Sequence, residues 1–135
     1  MARTPARVPQ MDARAIAERG KEVLIVRSRE DEPYPGLWTF PGGPVEAGGS
    51  PEVALRRHML ERLGVRVELL IGQPPFIHDV QGTPVTFRYY MCVILEREPG
   101  TDYWPEVQWV HKVRLSEYDL EPQARQVADW LAGGA

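Results

Sequence analysis

The stretch Gly36–Val65, GLWTFPGGPVEAGGSPEVALRRHMLERLGV, reads as a loop leading into a strongly marked helix. Ser50 offers a side-chain oxygen to the orphan N–H groups of a helix start. Pro51 suits the first helical position, where its missing N–H costs nothing. Gly64 suits the left-handed conformation that ends a helix, so the spacing predicts a helix over 51–63. Leu55, Met59 and Leu63 recur every four positions, and one stripe of that helix is therefore buried. Ahead of it stand a short extended piece, Leu37–Phe40, and a run punctuated by Gly and Pro.

Working outward, strands are predicted at Ala13–Glu18 and Glu22–Arg27, with Arg19-Gly20-Lys21 in the turn between them. After the helix, Val65–Ile71, Phe76–Val80, Val85–Leu95 and Glu106–His111 read as strands, and Gln81-Gly82-Thr83-Pro84 as a turn. A closing amphipathic helix is predicted over Glu121–Leu131, with Val127, Trp130 and Leu131 facing inward. Residues 1–9 read as a flexible tail and 10–135 as one α/β domain, a mixed sheet sandwiched between helices. The length of 135 residues suits one such domain.

Composition narrows the function classes. At 43% hydrophobic and 26% charged residues the chain is ordinary globular material, which argues against disorder. A formal charge of -3 disfavours a dedicated binder of nucleic-acid polymers, though a local site can oppose the global sign and take a small anion. The longest strongly apolar run, Tyr89–Leu95, is far too short to span a bilayer, and MARTPARVPQ lacks the apolar core of a secretory signal. Cys92 is the only cysteine and sits in YYMCVIL, where it reads as a small packing residue. The default location is cytoplasmic.

The segment Gly36–Val65 resembles the Nudix hydrolase family, MutT-like members in particular. The family signature is G-x5-E-x7-R-E-U-x-E-E-x-G-U, with U aliphatic. Over 43–65, Gly43 opens the box, Arg57 stands at its arginine, Met59 at its apolar position, Glu61 at a glutamate, and Gly64-Val65 close it. Leu37-Trp38, Phe40-Pro41-Gly42-Gly43 and Glu46 also match what commonly precedes and begins this box. The resemblance implies a Nudix fold, a loop-helix-loop carrying magnesium or manganese, and hydrolysis of nucleoside diphosphates linked to another group. A diphosphate repels an attacking water, so divalent cations neutralise it and lower that water's pKa.

The box is degenerate. Its first glutamate falls on Gly49, the one after the arginine on His58, and the last on Arg62; Glu61 alone remains. On a helix, His58, Glu61 and Arg62 share an arc of about 100°, so these positions share one face. That face is neutral or slightly positive where the family implies four carboxylates. Shifting Glu46 or Glu52 into the place of Gly49 breaks the Pro-Gly-Gly match or the helix spacing.

Three readings follow. In an atypical hydrolase, Glu61, the Gly42 carbonyl and Glu46 would hold the metal, with Asp102 or Glu106 completing it; His58 would be the general base and Arg57 would position Glu61. In a binding domain without turnover, Arg62 and Arg57 would neutralise phosphate directly, since a guanidinium holds a phosphate but cannot ionise water. In an interaction module no small ligand is needed, and Leu60, facing away from the buried stripe, marks a candidate partner or homodimer surface. Trp38, Tyr103 and Trp104 are the candidate substrate-binding rings, the last two in the polar loop before Glu106. The expected ligand is a nucleotide or another phosphate-containing small molecule, with magnesium-dependent turnover weak or lost.

Overall fold

A parallel pairing between distant strands organises the molecule. In the computed structural model, which describes residues 8–133, strand β1 (Met11–Arg19) lies parallel to β7 (Thr83–Leu95). β2 (Glu22–Arg27) turns back on β1 through the predicted Arg19–Lys21 turn, and pairs with β3 (Trp38–Thr39) and β8 (Val107–His111). β4 (Gly42–Pro44) runs antiparallel to β1, while β5 (Arg66–Gly72) and β6 (Phe76–Val80) run antiparallel to β7. Helix α1 (Pro51–Leu63) covers one face and α2 (Pro122–Gly133) the other, giving the mixed sheet between helices that the sequence implied.

Strand alternation divides the core. Ala13, Ala15 and Ala17 of β1 face α1, where Leu55, Met59 and Leu63 pack with Val65 and Cys92. Ile16 faces α2 and meets Phe40, Tyr89, Leu115, Ala124 and Val127. Alanine is small enough to let α1 lie close on β1. Ser50 Oγ accepts the Val53 N–H at 3.3 Å, and Gly64 closes α1 at φ 68°. Both caps are the predicted ones.

Several boundaries differ. β1 begins two residues before the predicted strand, at Met11. β4 was not predicted, because Gly-Gly-Pro carries no strand propensity. A 3-10 helix over Lys112–Glu117 follows β8 and also went unpredicted. Trp130 was expected inward but is 50% exposed, since Val127 and Leu131 fill the face of α2 that meets the sheet. The predicted tail lies outside the described residues as far as residue 7; Val8 packs against the α2-side core. No described helix is long and apolar enough to cross a membrane.

Candidate functional site

Pairing of β4 with β1 sets Gly42 opposite Arg14, Gly43 opposite Ala13 and Pro44 opposite Asp12. The approach leaves no room for side chains. Gly42 has φ 154°, and a Cβ there would lie 2.0 Å from the Ala13 carbonyl oxygen. A Cβ on Gly43 would lie 2.7 Å from Arg62 Nη1 and 2.9 Å from His58 Nε2. Glycine at both positions thus brings the loop onto β1 and lets α1 close over it.

His58 is buried, not solvated, with Nε2 2.7 Å from the Pro44 carbonyl oxygen. A carbonyl only accepts, so Nε2 carries the proton and Nδ1 is left as a buried acceptor without a hydrogen-bond partner. Burial lowers the His58 pKa from its ordinary value; the Pro44 bond opposes this, and nearby Arg62 and Arg57 reinforce it. One turn on, Arg62 Nη1 donates to the Gly42 carbonyl at 2.8 Å. Its guanidinium carbon sits 4.7 Å from the Tyr103 ring centre and 5.9 Å from that of Trp104.

A cavity of about 190 Å³ opens beside these groups, lined by Asp12, Arg14, Glu32, Arg62, Tyr103, Glu121 and Gln123 with apolar walls from Val8, Val85 and Phe87. Its floor is a buried polar network. Arg14 donates to both Asp12 carboxylate oxygens, at 2.5 and 3.1 Å, and to the Phe40 carbonyl at 2.9 Å. Burial opposes the charge on Arg14, yet Asp12 and Glu121 outweigh it and keep the guanidinium firmly protonated. Glu121 accepts from Ser28 at 2.5 Å and from Gln123 at 3.3 Å, and Gln123 accepts from Tyr89. Burial pushes the Glu121 carboxyl above its ordinary pKa, against the pull of Arg14 and Ser28.

The predicted site residues therefore separate into groups. Gly42, His58 and Arg62 meet at the box loop, and Tyr103 joins Arg62 at the cavity. Arg57 and Glu61 form an exposed pair at 3.8 Å, one turn apart. Glu46 is exposed in a turn, its carbonyl accepting the Gly49 N–H. Trp38 and Trp104 are core residues, not open stacking surfaces. The Trp38 ring packs edge-on against Tyr118 on the α2 side, while its backbone bonds to Asp119 and Glu121 and so sets Glu121 in place. Trp104 is buried on the α1 side and donates Nε1–H to Glu32 at 3.1 Å. Asp102 lies in an adjoining loop hollow, and Glu106 is paired with Arg27 at 2.6 Å.

These donors do not fit a magnesium or manganese ion. The Gly42 carbonyl, an expected ligand, is taken by a cation already, and Glu61 is turned to Arg57. Among the described residues no three His, Cys, Asp or Glu side chains converge on a common point.

Asp12, Arg14, Glu121 and Gln123 escaped the sequence reading. A signal existed for the first two. In Asp12-Ala13-Arg14-Ala15-Ile16-Ala17 the charged residues share the parity of Ile16, so a strand extended to Met11 would have buried them. Glu121 and Gln123 had no such mark, since a helix start rich in polar groups is ordinary.

Comparison with known proteins agrees with the fold. Residues 8–131 match the NUDIX domain. The nucleoside triphosphatase NudI of Escherichia fergusonii is 32% identical over 123 residues, covering 82% of this chain and 87% of the relative. The 8-oxo-dGTP diphosphatase of Escherichia coli K12 is 24% identical over 107 residues, covering 79% and 83%. The crystal structure of a MutT NUDIX hydrolase from Burkholderia pseudomallei superposes with a TM-score of 0.75 at 21% identity, covering 91% of this chain and 98% of that one.

Proposed function

The chain belongs to the NUDIX family, and on that footing we propose that it binds a nucleoside diphosphate-linked compound, such as a nucleoside triphosphate, in the cavity above Asp12 and Arg14. It is a pyrophosphohydrolase by family whose magnesium-dependent turnover is weak or lost. Family members generally use a divalent metal such as magnesium or manganese. The reading of weakened turnover rests on one contact, the Arg62 guanidinium on the Gly42 carbonyl. A guanidinium neutralises phosphate and holds its oxygens in a fork, but it does not ionise water.

The chain's own groups divide the work of binding. Arg14 retains N–H groups beyond those given to Asp12 and Phe40, and the buried Glu121 carboxyl lines the same cavity. These polar groups suit the edge of a heterocyclic base, and Phe87, Val85 and Val8 suit its faces. Arg62 and Tyr103 stand on the box side of the cavity, where the phosphates would lie. His58 orients the box loop through Pro44 and stays neutral near pH 7. The relatives named above act on nucleoside triphosphates, which sets the first compounds to try.

The test is a screen of nucleoside triphosphates and diphosphate-linked nucleosides for phosphate or pyrophosphate release with magnesium and manganese, alongside calorimetric binding. Binding with slow release is expected. Rapid release that disappears in Glu61→Gln would show a working metal site and overturn the claim of weakened turnover. Absence of binding to every nucleotide, with and without metal, would overturn the proposal as a whole.

A further inference from the structure

Arg62 is held more tightly than an exposed helix arginine needs to be. Its Nη1 donates to Gly42, its guanidinium lies against two aromatic rings, and a side chain on Gly43 would have collided with it. The Tyr103 ring that it touches is shared. The Arg29 guanidinium carbon lies 4.2 Å from the same ring centre, and Tyr103 lines both the main cavity, with Arg62, and the adjoining hollow, with Arg29. Arg29 is tied down in turn, its backbone N–H donating to Glu32 at 2.7 Å and its side chain 3.4 Å from Asp31. A cation against the electron-rich ring is favourable, and a ring that Arg29 also touches is a steadier support for Arg62.

Charge in the cavity singles out the same residue. The lining holds four carboxylates, Asp12, Asp31, Glu32 and Glu121, against two guanidinium groups, Arg14 and Arg62. Arg14 is committed to Asp12 through two hydrogen bonds. Among the described residues, Arg62 has no carboxylate within ion-pair distance, so no contact pair occupies its guanidinium. Nη1 spends one of its hydrogens on Gly42, which leaves the rest of the fork for a ligand.

We infer that Arg62 is a built-in cation: the site binds the diphosphate group of its ligand without a divalent metal, through a guanidinium that Gly42 and Tyr103 hold in place. The inference rests on the nucleotide-binding reading above and adds to it how the phosphates are held. Tyr103 acts as a positioning residue and Arg62 as the group that touches phosphate. The arrangement also makes a converse claim. Removing the guanidinium frees the Gly42 carbonyl, and a carboxylate in its place adds a second acidic ligand beside Glu61.

Calorimetry with inorganic pyrophosphate and with a nucleoside triphosphate, in EDTA and then with magnesium, tests the inference. Wild-type protein should bind both in EDTA, with affinities that magnesium changes little. Arg62→Glu should weaken metal-free binding about tenfold or more, because a charge-assisted fork is lost and reversed. Arg62→Lys, which keeps the charge and loses the fork, should fall between them. Tyr103→Phe should bind nearly as wild type, and Tyr103→Ala should lose affinity while circular dichroism stays unchanged. Manganese binding, read by electron paramagnetic resonance, should appear in Arg62→Glu and be weaker in wild type. Nucleotide binding that requires added magnesium would overturn this inference and leave the nucleotide-binding reading intact. Metal-free binding unaffected by Arg62→Glu would likewise overturn it. Failure of every nucleotide to bind in either condition would overturn both.

Discussion

Arg14 and Asp12 have side chains only 10% and 8% exposed, so each depends on the other to offset its lost hydration. Truncating one leaves a buried charge uncompensated. Asp12→Ala should therefore lower the free energy of unfolding by about 3–5 kcal/mol, measured by denaturant titration. Replacing both, as Asp12→Leu with Arg14→Met, should recover much of that stability yet abolish nucleotide binding, because the cavity floor would have lost its polar edge. His58 gives a pH test at the same scale. Its folded pKa lies below the unfolded value of 6.5, so its contribution to stability is full above pH 6.5 and is lost as pH falls through the folded value. Glu121 works in the opposite sense, contributing fully below the unfolded 4.5 and losing that contribution as pH rises through its raised pKa. Melting temperature against pH should show a loss on acidification below pH 6.5 that is reduced in His58→Gln. Gln can still donate to the Pro44 carbonyl. An unchanged profile in that variant would show that His58 does not carry the effect.

At the scale of elements, the helix α1 and its loop answer to different forces. The helix is fixed locally by Ser50 and Gly64, and Ser50→Ala should cost about 0.5–2 kcal/mol in thermal unfolding without altering the site. The loop is fixed by contact. A Cβ on Gly43 would have to push Arg62 Nη1 and His58 Nε2 aside, so Gly43→Ala should leave helical content unchanged and weaken pyrophosphate binding. Retained affinity in that variant would mean that the Arg62 position is not set by the loop. This contrast explains what was legible. Caps and the Leu55, Met59, Leu63 stripe all lie in or directly beside one thirteen-residue helix, and α1 matches its predicted 51–63 span. β4 forms because β1 lies opposite, a non-local cause invisible in Gly-Gly-Pro. Trp38 and Trp104 looked like ligand rings because a polar or Gly-rich neighbourhood says nothing about which way an aromatic turns. The replaced box positions were legible by type; that Arg62 reaches back twenty residues to the Gly42 carbonyl was not.

For the whole molecule, β1 is the shared wall of both cores: its alanines face α1 and Ile16 faces α2. The cavity draws on every layer at once, with Asp12 from β1, Arg62 from α1, Tyr103 from the loop before β8, and Glu121 and Gln123 at the start of α2. A ligand seated there can bind only when all of these are assembled. It should then stabilise the folded state by about 2.7 kcal/mol at a hundred times its dissociation constant. Because neither helix layer can leave without dismantling β1, the shift should reach both alike. The check is thermal unfolding with and without a nucleoside triphosphate, followed by far-ultraviolet circular dichroism for the helices and by tryptophan fluorescence. Trp104 reports the α1-side core and Trp38 the α2-side core, so Trp38→Phe and Trp104→Phe variants, each in a background with Trp109→Phe and Trp130→Phe, separate the two signals. Coincident transitions that move together are expected. A ligand shift seen only by the Trp104 signal would mean that the α2 layer unfolds on its own, and that Glu121 and Gln123 take no part in holding the ligand.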